Sequence, residues 1–222
     1  MPAGLTLYNS WGTVQIDQNW RNYGFRQKIP VTITSYYTSP PNPAGFPGTT
    51  YQLVVAGTPA LLVACKASTL QPIRMHSYYA DGIWTFNWCF VIPFTDAVTE
   101  TVEFFVFDTM NGSYSNVGLE VFNQAGERVF HSDAPVMKVA PGQPCDVDFT
   151  GTPGKNYVPL ITRNPIFGYL AGFPAGYRIG AHTLRVSGSN IVTSTVGFAS
   201  WGASGEYANG GAFIPVDVTG LS

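Results

Sequence analysis

Between residues 83 and 90 the chain alternates with a period of two. Ile83, Thr85, Asn87 and Cys89 fall on one side, and Trp84, Phe86, Trp88 and Phe90 on the other. Successive residues of a strand point to opposite faces, so this segment predicts a central β-strand with a wholly aromatic core face. Val31 and Ile33 alternate with threonines in residues 31–37, and 102–107 (VEFFVF) reads as a further strand. Residues 51–56 and 60–64, joined by Gly57-Thr58-Pro59, are apolar enough to predict strands buried on both faces. Later strands are predicted at 157–162, 183–186, 191–198 and 213–218, with a short one at 136–139 and another around Val147 and Phe149. No segment predicts an amphipathic helix longer than about two turns.

A second pattern acts over a longer range. GLTLYNSWGTVQID at residues 4–17 returns as GLEVFNQAGERVFH at 118–131, an offset of 114 residues that sets Gly4, Leu5, Tyr8, Asn9 and Gly12 against Gly118, Leu119, Phe122, Asn123 and Gly126. Each copy predicts a β-hairpin: apolar residues alternate on both arms, and the turn carries Asn9 and Gly12, or Asn123 and Gly126, where positive φ is needed. The expectation is an all-β fold, an antiparallel β-sandwich of two tandem β-units. Their expected bounds are 1–112 and 113–222, with Asn111-Gly112-Ser113 as the hinge.

Composition agrees with strands and turns. The 222 residues include 24 Gly and 17 Pro, a density of breakers that long helices do not tolerate. Only 11% are charged, with a net charge of −2, which leaves no basic surface for nucleic acid. A charge-poor exterior in a chain that is 14% aromatic favours burial in subunit contacts, so a homo-oligomer is expected. Cys65, Cys89 and Cys145 are odd in number and without a CxxC pair, and read as buried thiols. The start, Met1-Pro2-Ala3-Gly4, lacks the basic and apolar regions of a signal peptide, and the apolar stretch 53–65 is too short and too broken to span a bilayer. Synthesis in a cytoplasm and no membrane insertion are the expectation.

Catalytic chemistry finds little to work with. His76, His131 and His182 lie outside any GxSxG, HExxH or HxH setting. Asp133, two residues beyond His131, would share its strand face as a polar pair. Asp146 and Asp148 form a DxD without calcium-loop spacing, and read as strand-face aspartates around Val147. No enzyme activity, metal or cofactor is expected. Residues 17–28 interleave cations with Trp20, Tyr23 and Phe25, a pattern for sugar or phosphate binding or, more simply, for an edge strand whose arginine stems pack on rings. Gly168, Gly172, Gly176 and Gly180 recur every fourth residue among Phe167, Tyr169, Phe173 and Tyr177. That segment predicts a long compact loop packed by its own aromatics, and a contact surface. The proline-rich loop 39–48, carrying Phe46, is a second exposed candidate. Asn111-Gly112-Ser113 fits a glycosylation sequon and is read as a turn.

The motif Gly4-Leu5-x-Leu7-Tyr8-Asn9-x-x-Gly12, followed by Ile16-Asp17, resembles the start of small all-β tail proteins of bacteriophages with contractile or flexible tails. The second copy, Gly118-Leu119-x-Val121-Phe122-Asn123-x-x-Gly126 with Val129-Phe130-x-Ser132, is similar to a hairpin inside the same proteins. The resemblance implies a non-enzymatic virion component of the tail tip or fibre base. It also implies other tail proteins as partners and, by analogy with tail symmetry, a trimer. The alternative is a receptor-binding module that touches the host surface through loops 39–48 and 167–180. A cell-wall or polysaccharide hydrolase is a third reading, for which the sequence offers no nucleophile with its base.

Overall fold

The computed structural model describes residues 6–8, 14–17, 22–36, 48–92, 97–109, 117–163, 166–170, 177–197 and 211–221. All regular structure among them is β. The first hairpin is β1 (Thr6–Tyr8) and β2 (Val14–Asp17), and β3 (Tyr23–Ser35) follows. Next come β4 (Thr49–Ala56), β5 (Leu62–Lys66), β6 (Gln71–Ala80), β7 (Ile83–Val91) and β8 (Val98–Thr109). The last six form two antiparallel sheets, β3-β8-β5 and β4-β7-β6. The second hairpin is β9 (Glu120–Phe122) and β10 (Arg128–His131). After it run β11 (Lys138–Val139), β12 (Gln143–Pro144), β13 (Tyr157–Arg163), β14 (Ile166–Leu170), β15 (Tyr177–Ser187), β16 (Asn190–Gly197) and β17 (Ala212–Asp217). β17 bonds to β11, β12 and β13, while β15 lies between β14 and β16.

The aromatic face of residues 84–90 is core. Phe86, Trp88 and Phe90 are buried and meet Val102, Phe104 and Val106 of β8 across a sandwich, with Trp88 and Phe104 rings 5.6 Å apart. The opposite positions of β8, Phe105 and Phe107, enter a second core with Val158, Leu160, Val216 and Val218. From Phe104 onward β8 is therefore covered on both faces. β3 serves both cores through a bulge at Arg26. Before it Tyr23 and Phe25 face the second core; after it Ile29, Val31 and Ile33 face the first, because one extra residue inverts the alternation.

Three expectations change. Residues 17–28 and 31–37 contribute to one strand, β3, which is an edge strand of its sheet. β5 is buried on both faces, but β4 is not: Gln52, Val54 and Ala56 are exposed, and β4 and β5 belong to different sheets. Gly57-Thr58-Pro59 is thus a corner between layers, where apolar content alone cannot separate a two-sided from a one-sided strand. Residues 166–170 and 177–187 are paired strands and not a compact loop, since glycine with β-favouring aromatics also suits a hairpin.

The sequence repeat is a structural repeat. β1 pairs β2 as Thr6↔Asp17, Leu7↔Ile16 and Tyr8↔Val14, leaving Gln15 as the bulged residue. β9 pairs β10 as Glu120↔His131, Val121↔Phe130 and Phe122↔Arg128, leaving Val129 bulged. Each pair maps onto the other under the 114-residue offset. The correspondence continues in the sheets. Leu62↔Phe107, Ala64↔Phe105 and Cys65↔Phe104 match Val158↔Val216, Leu160↔Ile214 and Ile161↔Phe213. Cys65, Phe104, Ile161 and Phe213 face the first core; Ala64, Phe105, Leu160 and Val216 face the second. Both large cores therefore mix residues from either side of position 112, while the hinge 111–113 lies outside the described residues.

Candidate functional site

The second hairpin is built as its sequence predicts. Gly126 has φ 77°, and the Asn123 carboxamide oxygen accepts from the Ala125 and Glu127 N–H groups at 3.0 and 2.8 Å. Val121, Val129, Phe130 and Ala134 pack beneath it. The hairpin is seated on the start of β3, where both the main-chain and the side-chain nitrogen of Asn22 donate to the Val129 carbonyl, at 3.2 and 3.0 Å. Its outward residues Leu119 and Phe122 are 48% and 50% exposed. His131, at its base, is buried, and its partner is the main chain of Asp133: that N–H donates to Nδ1 at 3.1 Å. In the neutral ring the proton then sits on Nε2, 3.7 Å from Glu120, which also pairs with Arg128 at 2.8 Å.

Elsewhere the carboxylates bind the chain's own backbone. Asp108, at the end of β8, is buried and accepts from the Thr109 and Thr58 N–H groups at 2.8 and 3.1 Å, from the Thr58 hydroxyl, and from Arg26 at 3.0 Å. The corner at Gly57 closes over this carboxylate so tightly that a Cβ there would press on Leu61 and Asp108. Glu100 gathers the N–H groups of Ser68, Thr69 and Leu70 at the β5–β6 turn. Asp148 accepts from the Thr193 N–H and hydroxyl at 2.7 and 2.8 Å, capping the outer edge of β16 in mid-strand. Those bonds, helped by nearby Arg185, hold its carboxyl below the usual range. The DxD is thus a loop feature with one structural cap, not a pair on a strand face; only Phe149 of this stretch bridges, to Ile191.

His182 sits near this cap, with Nδ1 3.3 Å from the Thr195 hydroxyl. Burial lowers its pKa, and Asp146 works in the opposite direction. His76 is exposed on β6. All three cysteines are buried free thiols; burial pushes Cys89 and Cys145 to about 12 and raises Cys65 as well. Among the described residues no group of three or more His, Cys, Asp or Glu is placed to hold a metal. Nor is any described helix long and apolar enough to cross a membrane.

Of the predicted contact residues, Phe167 and Tyr169 lie on β14 and Tyr177 begins β15. Their register sets Phe167 opposite Gly180, Tyr169 opposite Arg178 and Leu170 opposite Tyr177. Phe46, Phe173, Asn9 and Gly12 lie outside the described residues. An apolar surface that the sequence reading missed is the outer face of β4-β7-β6. β15 covers one end of it, through Ala181 against Ile73, Cys89 and Val91 and a 3.1 Å bond from the Thr183 hydroxyl to Gln71. The other end is open and carries Val54 and Tyr78 beside Thr85, then Ala56 and Ala80 beside Ile83. The period-two alternation of Gln52, Val54 and Ala56 with Leu53 and Val55 carried that signal, but both sets are largely apolar. A cleft of about 300 Å³ lies between the segment after β10 and the end of β17.

No family model matches this chain. No curated protein and no solved structure matches it either.

Proposed function

We propose that the protein is a non-enzymatic structural component of a bacteriophage tail, at the tail tip or fibre attachment, working as a homo-oligomer among other tail proteins. The reading begins from the duplicated hairpin motif and its resemblance to phage tail proteins. The observation that carries it further is the second hairpin's two-sidedness: Val121, Val129 and Phe130 fasten it to the chain, while Leu119 and Phe122 remain available to bury against a neighbour. The expected result is that the protein self-associates in sedimentation velocity runs, that Leu119→Asp with Phe122→Asp weakens the association at least tenfold, and that mass spectrometry detects the chain in purified particles. A chain that stays monomeric at high concentration and is missing from particles sinks the proposal.

A second reading is a receptor-binding module. It is favoured by the β14–β15 hairpin, whose paired arms carry Phe167, Tyr169 and Tyr177. Replacing Tyr169, Phe173 and Tyr177 together by alanine separates the two. Lost adsorption by intact particles favours receptor binding; failed particle assembly favours the structural role.

A further inference from the structure

The two halves meet about a local two-fold axis. The strand after the first hairpin and the segment after the second run antiparallel, with Gly24 bridged to Val136. Phe25 N–H donates to the Pro135 carbonyl and Met137 N–H to the Tyr23 carbonyl, both at 2.8 Å. Tyr23 and Met137 are equivalent under the 114-residue offset, so the pairing is centred on one position of the repeat. Antiparallel pairing of equivalent segments generates a two-fold relation between whatever they carry.

That relation makes the seat of the second hairpin predict another. β8 flanks β3 and ends with the pair Tyr23↔Thr109; just beyond its end, Asn22 donates to Val129 of the second hairpin. β17 flanks β11 in the same way, and its pairing with β11 ends at Lys138↔Asp217. Just beyond that end lies Val136, the equivalent of Asn22. Its N–H points away from β3, because the neighbouring Met137 N–H is the one bonded there. No described group accepts from it. β17 has ended by this point and the chain turns at 219–220, with Leu221 N–H donating to the Val218 carbonyl at 3.1 Å, and beside it lies the 300 Å³ cleft lined by Phe130, Ala134, Val136, Lys138, Asp217 and Leu221.

We propose that this cleft is the seat of the chain's own first hairpin, with the Gln15 carbonyl accepting from Val136 N–H as the Val129 carbonyl accepts from Asn22. Gln15 and Val129 are equivalent, and each is the bulged residue that its hairpin ladder leaves unpaired. The connections agree as well: Asp17 to Tyr23 spans the same length as His131 to Met137. β1 and β2 are then a docking arm, and each half clasps the other's hairpin.

Two measurements test this on the full chain. Gln15→Cys with Val136→Cys is compared with Asn22→Cys with Val129→Cys, the seated pair, under mild oxidation and non-reducing electrophoresis with peptide mapping. The native thiols are buried and stay out of the reaction. The expected result is a disulfide within one chain in both variants, as strands in contact lie within bridging distance. A bridge between chains, or none at 15 and 136 while the control closes, overturns the proposal. In the unaltered protein, hydrogen exchange reads the Val136 amide directly. Protection comparable to that of Asn22 is expected, and exchange at the rate of an open backbone amide overturns the assignment.

Discussion

The unit β3-β8-β5 and its counterpart β11-β17-β13 share a frame and differ at its margins. Within the frame the matched residues keep their burial and their core while their sizes vary: Phe104 and Phe213 are each fully buried in one core, Phe107 and Val216 in the other. At the margins the halves diverge. Asp108 is almost inaccessible and ties down a corner through four donors, whereas its counterpart Asp217 is partly open and holds Thr219 and Lys155 at 2.9 and 3.1 Å. β4 pairs β7 along its whole length; in the second half a single bridge, Phe149↔Ile191, occupies the matching place beside β16. A core position can change volume where its neighbours compensate but has to stay apolar, while an edge can be rebuilt with a different loop and the same carboxylate.

The largest effect comes from attacking the shared frame. Phe104→Ala and Phe213→Ala should each cost about 3–5 kcal/mol, as expected for emptying a packed aromatic site. Because both rings lie in one core, either substitution should lower the midpoint of a single guanidinium transition seen alike by tryptophan fluorescence and far-ultraviolet circular dichroism. Four of the five tryptophans, Trp11, Trp20, Trp84 and Trp88, belong to the first half, and Trp201 to the second. If Phe213→Ala left the fluorescence transition in place and moved only the dichroism signal, the halves would be independent and the shared core would be the wrong description.

Attacking the margin of the first half comes next. Asp108→Ala removes the acceptor for the Thr58 and Thr109 N–H groups and for Arg26, whose guanidinium can still turn to water because its side chain is 41% exposed. About 2–3 kcal/mol of destabilisation is expected, mostly from the stranded main-chain donors. Denaturation of this variant should also show the corner opening first, as faster exchange of the Thr58 amide. A loss under about 1 kcal/mol would mean that water replaces the carboxylate without penalty.

How far the sequence revealed this comparison depends on the type of signal. The aromatic face of β7 and the two hairpins were legible because alternation and turn residues are local properties of the chain. The bulge at Gln15 and at Val129 was not, since a ladder that skips a residue looks like ordinary alternation until its partner is known. Phe104–Asp108 and Phe213–Asp217 escaped notice as a repeat because only the first and last residues are kept and their offset differs from that of the hairpins. Asp148 read as a strand-face aspartate for a related reason: its partner, Thr193, is far along the chain, and a capping carboxylate has no local signature. The open face bearing Val54 and Tyr78 was hidden because composition does not tell which side of an apolar strand meets a second layer.

The smallest effect comes from the pH dependence of the Asp217 contact. Burial alone would raise the Asp217 carboxyl, but bonds from Thr219 and the Lys155 ammonium outweigh it and hold the pKa below the ordinary value. A carboxyl lowered by folding adds stability above its unfolded pKa of about 3.9, and that contribution is lost as pH falls through the folded value. Asp217→Asn keeps an oxygen for Thr219 and loses only the charge. Lys155 is 42% exposed, so solvent screens the pair, and the substitution should cost about 1 kcal/mol or less at neutral pH. The difference in urea midpoint between the two proteins should hold from pH 7 to about 5, then narrow and close below about 4, as the wild-type carboxyl takes up its proton. A difference that stayed constant down to the acid limit would assign the loss to packing and leave Lys155 without a part in clasping the second half.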